Sequence, residues 1–263
     1  MLYDDQATQF DDRAGIPADA AEAVARELAA LVGLSDGQTV LDVGCGTGSL
    51  SLPLLRLPIR YVGFDQSAAM LEVFRQRAAE AGLAAELHAA DGNGRWPAED
   101  ARVDVVFSAR ALHHLDPAHV VAEVRRVTRG AGGWLVTGRV RRPPDSPKSV
   151  LRRQMRRMLE AEGFAGRSHD AGAQAVFAAL EAEGGRRADP RVVARWTVPH
   201  RPADSIASWE GKSGLAGLEV PPEVKSRVLN GLRGWASSSF GDLQREMEQP
   251  EQFELAAICL RAY

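Results

Sequence analysis

The chain has few cysteines and no long apolar run. Of its 263 residues only two are cysteines, Cys45 in a glycine-rich turn and Cys259 in a late apolar segment, and this pair does not indicate a disulfide framework. No apolar stretch approaches the roughly 20 residues that cross a bilayer. The first residues, Met-Leu-Tyr-Asp-Asp, are acidic and lack the apolar core of a signal peptide. These absences predict a cytoplasmic protein without a transmembrane segment.

A strong overall charge and low-complexity segments are also missing. The formal net charge of −3 gives no general reason to expect nucleic-acid binding. No obvious linker divides the chain, and 45% of the residues are hydrophobic. A chain of this length and composition is ample for one real core.

The most informative segment is a glycine turn after an apolar strand, Val40-Leu-Asp-Val-Gly-Cys-Gly-Thr-Gly48. Gly44, Gly46 and Gly48 permit backbone angles closed to residues with a Cβ and let a ligand approach the main chain. We expect a helix to begin just after Gly48, with unpaired N–H groups facing that ligand. Asp42, inside the strand, would be costly to bury without a cationic or hydrogen-bonding partner.

This turn resembles motif I of class I S-adenosylmethionine (SAM)-dependent methyltransferases. Dinucleotide-binding folds use G-x-G-x-x-G, whereas the register here is G-x-G-x-G and Ser49 stands where the last glycine is needed. The resemblance implies SAM as cofactor and S-adenosylhomocysteine as product. It also implies that Asp42 and Gly44 to Gly48, including Cys45, hold the amino acid part of SAM. A glycine turn without a ligand is the alternative.

Acids end the next two predicted strands. Arg60-Tyr-Val-Gly-Phe-Asp65 places Asp65 one β-α-β step after the turn, where it would accept both ribose hydroxyls. Ala85-Glu-Leu-His-Ala-Ala-Asp91 leads into Gly92. Asp91-Gly92 resembles the family position that contacts adenine, although Asp-Gly is also a common turn former.

The remaining cofactor candidates lie beside these strands. Ser67 is a predicted N-cap for a helix to Gly82, in which Met70 either covers the adenine or fills the core. The resemblance adds further cofactor residues, which are Gln66, Ser108, Ala109 and Arg13.

The leader over 2–17 precedes a helix expected from Asp19 to Val32. In the family such a leader often folds over the cofactor, with an aromatic residue and a basic residue contacting the methionine part. Tyr3, Phe10 and Arg13 are the candidates here, and Tyr3 is also a candidate for hydrogen bonding during catalysis. A frayed terminus is the alternative.

A fourth strand, Val103–Ala109, leads into Arg110-Ala-Leu-His-His-Leu-Asp-Pro117. This segment resembles the type 11, or ubiquinone/menaquinone-methyltransferase-like, branch of the superfamily. His113 and His114 are general-base candidates because imidazole titrates near neutral pH, and His200 is a third. Adjacent residues should point different ways, so at most one of the pair is expected to face a substrate. Alternatively, His113 bonds within the cofactor site and His114 packs.

The segment from Arg139 to Arg157 contains eight basic residues and one acid, Asp145. It would attract an acidic acceptor, RNA or a membrane surface. In the alternative it is a solvated face, balanced by acids such as Glu160, Glu162, Glu181 and Glu183.

The expected fold is α/β, a Rossmann-like seven-stranded doubly wound sheet with six parallel strands, an antiparallel last strand and helical lid insertions. A helix from Pro117 should stop at Gly130, and the last three strands are expected at Gly133–Gly138, Val192–Val198 and Phe253–Arg261. Two helical patterns lie between Pro202 and Gln249. The predicted organisation is a single domain over 1–263, with a leader (1–17), a core (18–140, 168–200 and 250–263) and cap segments (141–167 and 201–249).

The predicted function is methyl transfer from SAM to oxygen, nitrogen or carbon of a small acidic or aromatic metabolite. No Asn-Pro-Pro-Tyr-like motif follows the fourth strand, which argues against the amino-methylating nucleic-acid branch. The clustered metal-binding carboxylates of the catechol type are not visible, so no metal is expected. An RNA methyltransferase using the arginine-rich segment and a SAM-binding regulatory subunit without catalysis are the alternatives. The sequence does not set the oligomeric state.

Overall fold

The structure is a computed structural model that describes residues 16–129, 132–165 and 170–260. Predictions for Tyr3, Phe10, Arg13 and Gly130 lie outside these ranges. The chain divides into two compact units: unit 1 takes the described parts of 1–140, 169–194 and 253–263, and unit 2 those of 141–168 and 195–252. The assignment to a single domain stays a prediction.

Eight strands in the described ranges form one sheet. They are β1 (Thr39–Val43), β2 (Arg60–Asp65), β3 (Glu86–Ala89), β4 (Val105–Ala109), β5 (Trp134–Arg141), β6 (Arg186–Arg187), β7 (Arg191–His200) and β8 (Met247–Cys259). Their order is β3-β2-β1-β4-β5-β8-β6, and β7 also pairs with β8.

The pairings confirm a Rossmann-like, mostly parallel sheet. Strands β1 to β5 pair in parallel, and β6 is antiparallel to β8. There is one strand more than predicted because β6 and β7 are separate where one sixth strand was expected. Pro190 lies between them, and a proline has no N–H to donate to a ladder.

Strand β1 is central and buried along its whole length. Asp42 of β1 lies opposite Gly63 of β2 and Phe107 of β4. Because β1 to β4 are parallel neighbours, their carboxyl ends meet at one edge of the sheet, which is where open α/β sheets bind ligands.

Seven α-helices are described. Unit 1 contains α1 (Ala18–Val32), α2 (Ala68–Glu80), α3 (Pro117–Val127) and α5 (Ala171–Ala182); unit 2 contains α4 (Pro147–Ala161), α6 (Pro202–Glu210) and α7 (Pro222–Phe240). None of the helices in the described ranges has the length and apolar character needed to cross a bilayer.

The two predicted helix caps, Ser67 and Asp116, are confirmed. The Ser67 side chain accepts a hydrogen bond from the N–H of Met70 at the start of α2. Asp116 likewise caps α3 through the N–H of Ala118. Helix α3 ends at Val127, earlier than predicted, because Thr128 already has an extended backbone.

The helix predicted just after Gly48 is not formed. A 3-10 helix (Leu52–Arg56) takes its place, and the carbonyl of Gly48 accepts hydrogen bonds from Ser51 and Leu52. Pro53 has no N–H and Pro58 disfavours a helical residue before it. The segment between these prolines is too short for a regular helix.

Each unit has its own apolar core. In unit 1 the sheet packs against α3 and α5 through Leu41, Phe64, Trp96, Val106, Val124 and Phe177. In unit 2 the three helices pack together through Leu151, Met155, Leu159, Ile206, Trp209 and Leu232. Strand β8 starts at Met247, six residues before the prediction, because the buried polar residues Gln249 and Glu251 hide its alternating pattern.

Candidate functional site

The loop after β1 turns on three glycines in the left-handed region. Their φ angles are 75° at Gly44, 55° at Gly46 and 74° at Gly48. A Cβ on Gly44 would lie 2.4 Å from the Cβ of Ala111, and one on Gly48 would lie 2.2 Å from the Phe74 ring. At these two positions glycine is required by space as well as by backbone conformation.

Three predicted cofactor residues come together around this turn. The N–H of Gly46 donates to Oδ2 of Asp65 at 3.0 Å, and Oδ1 of Asp65 accepts from the N–H of Ser67 at 2.9 Å. A Cβ placed on Gly46 would lie 3.7 Å from the sulfur of Met70, which is buried. These two backbone donors orient the carboxylate of Asp65.

Asp42 is buried beneath the turn, 1% exposed. Its Oδ2 accepts hydrogen bonds from Tyr61 Oη at 2.8 Å and from Ser51 Oγ. Burial raises the pKa of Asp42 to about 6, opposed by the two hydroxyl donors and assisted by the charge of Asp65. The expected hydrogen-bonding partners are therefore two neutral hydroxyls, and the role of Asp42 toward SAM stays a prediction.

Gly63 makes room for the contact between Asp42 and Tyr61. A Cβ on Gly63 would lie 2.9 Å from Tyr61 Oη and 3.0 Å from Cys45 Sγ. Ser51, Tyr61 and Gly63 are not among the residues predicted from the sequence. One signal was present, since Tyr61 stands two residues before Gly63 and two-residue spacing puts both on one face of the strand.

Cys45 lies in the same buried group. Burial, and then the charges of Asp42 and Asp65, raise the pKa of its thiol well above the ordinary value. Burial and the charge of Asp42 likewise raise the pKa of Tyr61. Both groups therefore keep their protons at neutral pH, and Tyr61 remains a donor to Asp42.

Asp91 begins a turn at the end of β3. Its Oδ1 accepts from the N–H of Asn93, and its carbonyl accepts from the N–H of Gly94, both at 2.9 Å. This is the turn-forming role considered as the alternative. Gly92 approaches Leu115 closely, since a Cβ there would lie 2.6 Å from it. Contact of Asp91 and Gly92 with adenine stays a prediction.

The other predicted residues differ in exposure. Ser108 is buried, and its hydroxyl donates to the carbonyl of Val43 at 2.9 Å. Ala109 is half-buried in register with Gly138 of β5, and Gln66 is exposed. Ser108 therefore fastens β4 to β1 beside the glycine turn.

The two adjacent histidines do not point apart. His113 and His114 lie in a second 3-10 helix (Leu112–His114), and their ring centroids are 3.8 Å apart at 43°. The expectation of divergent directions is wrong, because both side chains stand on the exposed side of this single turn and rotate toward each other. Partial burial lowers the pKa of His114, which favours the neutral imidazole.

His200 ends β7 and belongs to unit 2, whereas His113 belongs to unit 1. Nε2 of His200 lies 3.4 Å from Ser205 Oγ. Burial, and then the positive charge of Lys148, lower the pKa of His200. Its imidazole is therefore held neutral at neutral pH.

The acids expected to balance the arginine-rich segment bind other arginines. Glu162 pairs with Arg227, Glu181 with Arg187 and Glu183 with Arg125. For Glu162 and Glu181 that part of the prediction is wrong, and for Glu160 and Glu183 it stays a prediction. Three different acids pair with the segment: Asp170 and Glu254 with Arg139, and Glu251 with Arg142. Acids distant in sequence were brought close by the fold, which spacing along the chain could not reveal.

Part of the chain is similar to known methyltransferases. A family model described as "Methyltransferase domain" matches residues 40–132. The chain is 34% identical over 124 residues to ubiquinone biosynthesis O-methyltransferase of Leptothrix cholodnii, covering 44% of this chain and 49% of that protein. This part of the chain is similar to SAM-dependent methyltransferases. The chain spans about half the length of the curated relative it matches.

Solved structures are similar to this chain in fold. The YcgJ protein of Bacillus subtilis superposes with a TM-score of 0.57 at 19% identity, over 91% of this chain and 99% of that one. A geranyl diphosphate methyltransferase solved with SAM gives 0.50 at 18% identity, over 91% and 85%. At such identities the likeness concerns the fold alone.

SAM is the cofactor that the similarity to methyltransferases indicates, and the geometry of the turn fits it. The left-handed glycines expose main chain beside an oriented carboxylate and a buried thioether. Within the described residues Asp42 forms no ion pair, and its partners are neutral. Negative charge beneath the turn suits a ligand that carries a sulfonium and an ammonium. No cluster of three or more candidate metal ligands occurs in the part of the chain that the structure describes.

Proposed function

We propose that this protein transfers the methyl group of SAM to an oxygen, nitrogen or carbon atom of a small-molecule acceptor by in-line displacement. The observation that carries the proposal is the glycine turn held on Asp65 by the N–H of Gly46. The absence of a membrane-crossing helix from the described residues supports our further proposal that it works in the cytoplasm.

Each residue around the turn has a proposed role. SAM, when bound, supplies an electrophilic methyl group on a sulfonium. Asp65 accepts the ribose hydroxyls, since its carboxylate is already oriented by two backbone donors. Met70 covers the adenine, and Asp91 with Gly92 contacts its edge. Gly44 to Gly48, with Asp42 beneath them, hold the amino acid part.

Positioning and exclusion of water carry most of the rate enhancement in such a displacement. A general base is needed only when the acceptor keeps a proton near neutral pH. His114 and His200 are held neutral by burial, and a neutral imidazole can accept a proton. His113, which stacks on His114, and His200 are the proposed base candidates.

Calorimetric titration of the full chain with SAM, S-adenosylhomocysteine and NADH tests the cofactor assignment. We expect the first two to bind and NADH to give no heat. Asp65→Ala should weaken SAM binding at least about 100-fold, because it removes a charged acceptor of two hydrogen bonds. Asp36→Ala is the matched control, since Asp36 lies in an exposed loop of the same unit. Tight NADH binding, or equal effects of both variants, would overturn the assignment.

Transfer itself needs a second measurement. Purified protein is incubated with methyl-labelled SAM and a panel of phenols, amines and carboxylic acids, and S-adenosylhomocysteine release is followed. Release that depends on one acceptor class supports the proposal. SAM binding without release for any small acceptor would favour the regulatory subunit, and transfer to RNA would favour the nucleic-acid alternative.

A further inference from the structure

Unit 2 gathers positive side chains around the start of α4. Two buried residues of β8 fix them in place, Gln249 (1% exposed) and Glu251 (6% exposed). Oε1 of Gln249 accepts from the N–H of Lys148 at 3.0 Å, and Oε1 of Glu251 accepts from Nε of Arg142 at 2.6 Å. Residues two apart on a strand share a face and lie roughly 6.6 Å apart. The backbone of Lys148 and the guanidinium of Arg142 are thus anchored side by side.

Helix α4 extends this group in one direction. Arg152 and Arg156 follow Lys148 at spacings of four and eight residues, which places the three on one face of the helix. The apolar positions Leu151 and Met155 point into the core of unit 2 instead. The cationic cluster is therefore Arg142, Lys148, Arg152 and Arg156.

The cationic cluster contains fewer negative charges than positive charges. Glu251 pairs with Arg142. Across the described residues, neither Lys148 nor Arg152 forms an ion pair with a carboxylate. Even without Arg156, three positive charges face one negative charge. Like charges held this close repel, so the arrangement is unfavourable unless something else compensates it.

The pKa shifts of Lys148 and Arg152 agree with this shortage of negative charge. Desolvation, and then the charge of Arg142, lower the pKa of Lys148, against the smaller opposing effect of Glu251. Arg152 is an exposed residue, but desolvation of its guanidinium, and then the charges of Arg142 and Arg156, lower its pKa. A folded protein keeps such perturbed groups together most often at functional sites.

We propose that the cationic cluster binds an oxyanion carrying two or more negative charges, the chemistry of a phosphate or diphosphate group on a small molecule. Two uncompensated cations match such a group in charge. The guanidinium of Arg152 and the ammonium of Lys148 supply charge-assisted donors. Among the described residues, the contact of Arg142 with a carboxylate is made through Nε, on Glu251, so the outer nitrogens of its guanidinium can donate to a ligand. The site stands independently of methyl transfer.

A compact cluster favours a small ligand over RNA. Arg139 is engaged by Asp170 and Glu254, and Arg153 donates to the carbonyl of Pro144 at 2.9 Å. The arginine-rich segment therefore does not offer an unbroken strip of cations, which is what tracking a phosphate backbone requires.

Inorganic pyrophosphate is the probe, titrated into the full chain by calorimetry at low salt. We expect Lys148→Gln and Arg152→Gln each to weaken binding at least about tenfold, since each removes a charge-assisted bond. Arg157→Gln is the matched control, because Arg157 is exposed on the same helix and outside the cluster. It should change the affinity less than about twofold.

Several results would overturn the proposal. Absence of pyrophosphate binding, or equal weakening by Arg157→Gln, would reduce the cluster to general surface charge. Succinate binding as tightly as pyrophosphate would contradict a phosphate site. A single-stranded RNA that binds more tightly than pyrophosphate, and responds to the same variants, would replace the small ligand by RNA.

Two cross-checks separate this site from the methyl-transfer proposal. Asp65→Ala should retain pyrophosphate binding, and Lys148→Gln should retain SAM binding. Lys148→Gln should also raise the thermal midpoint of the free protein, because it removes repulsion from the cluster. A lowered midpoint would show that Lys148 serves the fold rather than a ligand.

Discussion

The backbone N–H of Gly46 donates a hydrogen bond to Oδ2 of Asp65 at 3.0 Å. This bond joins the glycine turn after β1 to the end of β2. The residue proposed to hold the ribose is thus oriented by the loop proposed to hold the amino acid part. A substitution that distorts the glycine turn should therefore also displace the carboxylate of Asp65.

Gly48→Ala should unfold the turn. The new Cβ would overlap the Phe74 ring, 2.2 Å away, in a residue with φ of 74°. We expect the free energy of unfolding to fall by about 3 kcal/mol, from left-handed strain and overpacking together, as measured by urea denaturation. SAM affinity should fall in the same variant.

Gly37→Ala is the control for that experiment. Gly37 has a φ of 77° but nothing within 4 Å of its Cβ position. It should lose only the roughly 1–2 kcal/mol of left-handed strain. Equal losses in the two variants would mean that contact with Phe74 is unimportant.

Asp42→Asn should stabilise the protein at high pH. Burial raises the folded-state pKa of Asp42 from 3.8 to about 6, so the folded state holds this proton more tightly than the unfolded state. The contribution of Asp42 to stability is fully present below about pH 4 and is lost as pH rises through about 6. A neutral asparagine, which can still accept from Ser51 and Tyr61, should gain up to about 3 kcal/mol above pH 7.

Urea denaturation of both proteins at about pH 4 and pH 8 measures this difference. The gain should be small at the lower pH and large at the higher one. Asp36→Asn, in an exposed loop, should show no such dependence. A gain for Asp42→Asn that is the same at both pH values would contradict burial as the cause.

Arg126→Ala should be strongly destabilising. The side chain of Arg126 is 14% exposed and pairs with Glu123 at 2.6 Å and Asp100 at 2.7 Å. Its removal leaves Glu123 buried without its partner, which costs about 3 kcal/mol. Arg102→Ala, which breaks an exposed pair with Glu99 (68% and 83% exposed), should cost less than about 1 kcal/mol. Equal losses of stability for the two variants in thermal or urea unfolding would contradict a stabilising role for the ion pairs of Arg126.

His113→Ala or His200→Ala should lower kcat about 100-fold if the residue removes a proton from the acceptor. The dissociation constant for SAM should remain unchanged, because neither imidazole is assigned to the cofactor. Turnover and SAM binding are measured on the same preparations. Unchanged turnover in both variants would eliminate histidine as the base.

The sequence predicted best those elements whose causes are local. Strand β2 has its predicted bounds, and α2 starts where Ser67 caps it. The prediction of a helix just after Gly48 was wrong because Pro53 and Pro58 prevent a regular α-helix there. The start of β8 was missed because Gln249 and Glu251 are polar but buried by contacts with Lys148 and Arg142.

The residues of the candidate site were likewise predictable only where a local motif marks them. The glycine turn and Asp65 could be found by motif, and the structure brings them into contact. The partners of Asp42 could not, because Ser51 and Tyr61 are 9 and 19 residues away along the chain and no motif marks them. The pairing of Arg139 with Glu254 and of Arg142 with Glu251 likewise joins residues more than a hundred positions apart.

Gly63 limits which substitutions can raise the heat resistance of this protein. Glycine weakens a strand, so consensus design or laboratory evolution for heat resistance would ordinarily replace it by valine or isoleucine. Here the volume of the missing β-carbon is occupied by the hydroxyl of Tyr61 and the sulfur of Cys45. Libraries selected for heat resistance should therefore retain Gly63, or change it only together with Tyr61.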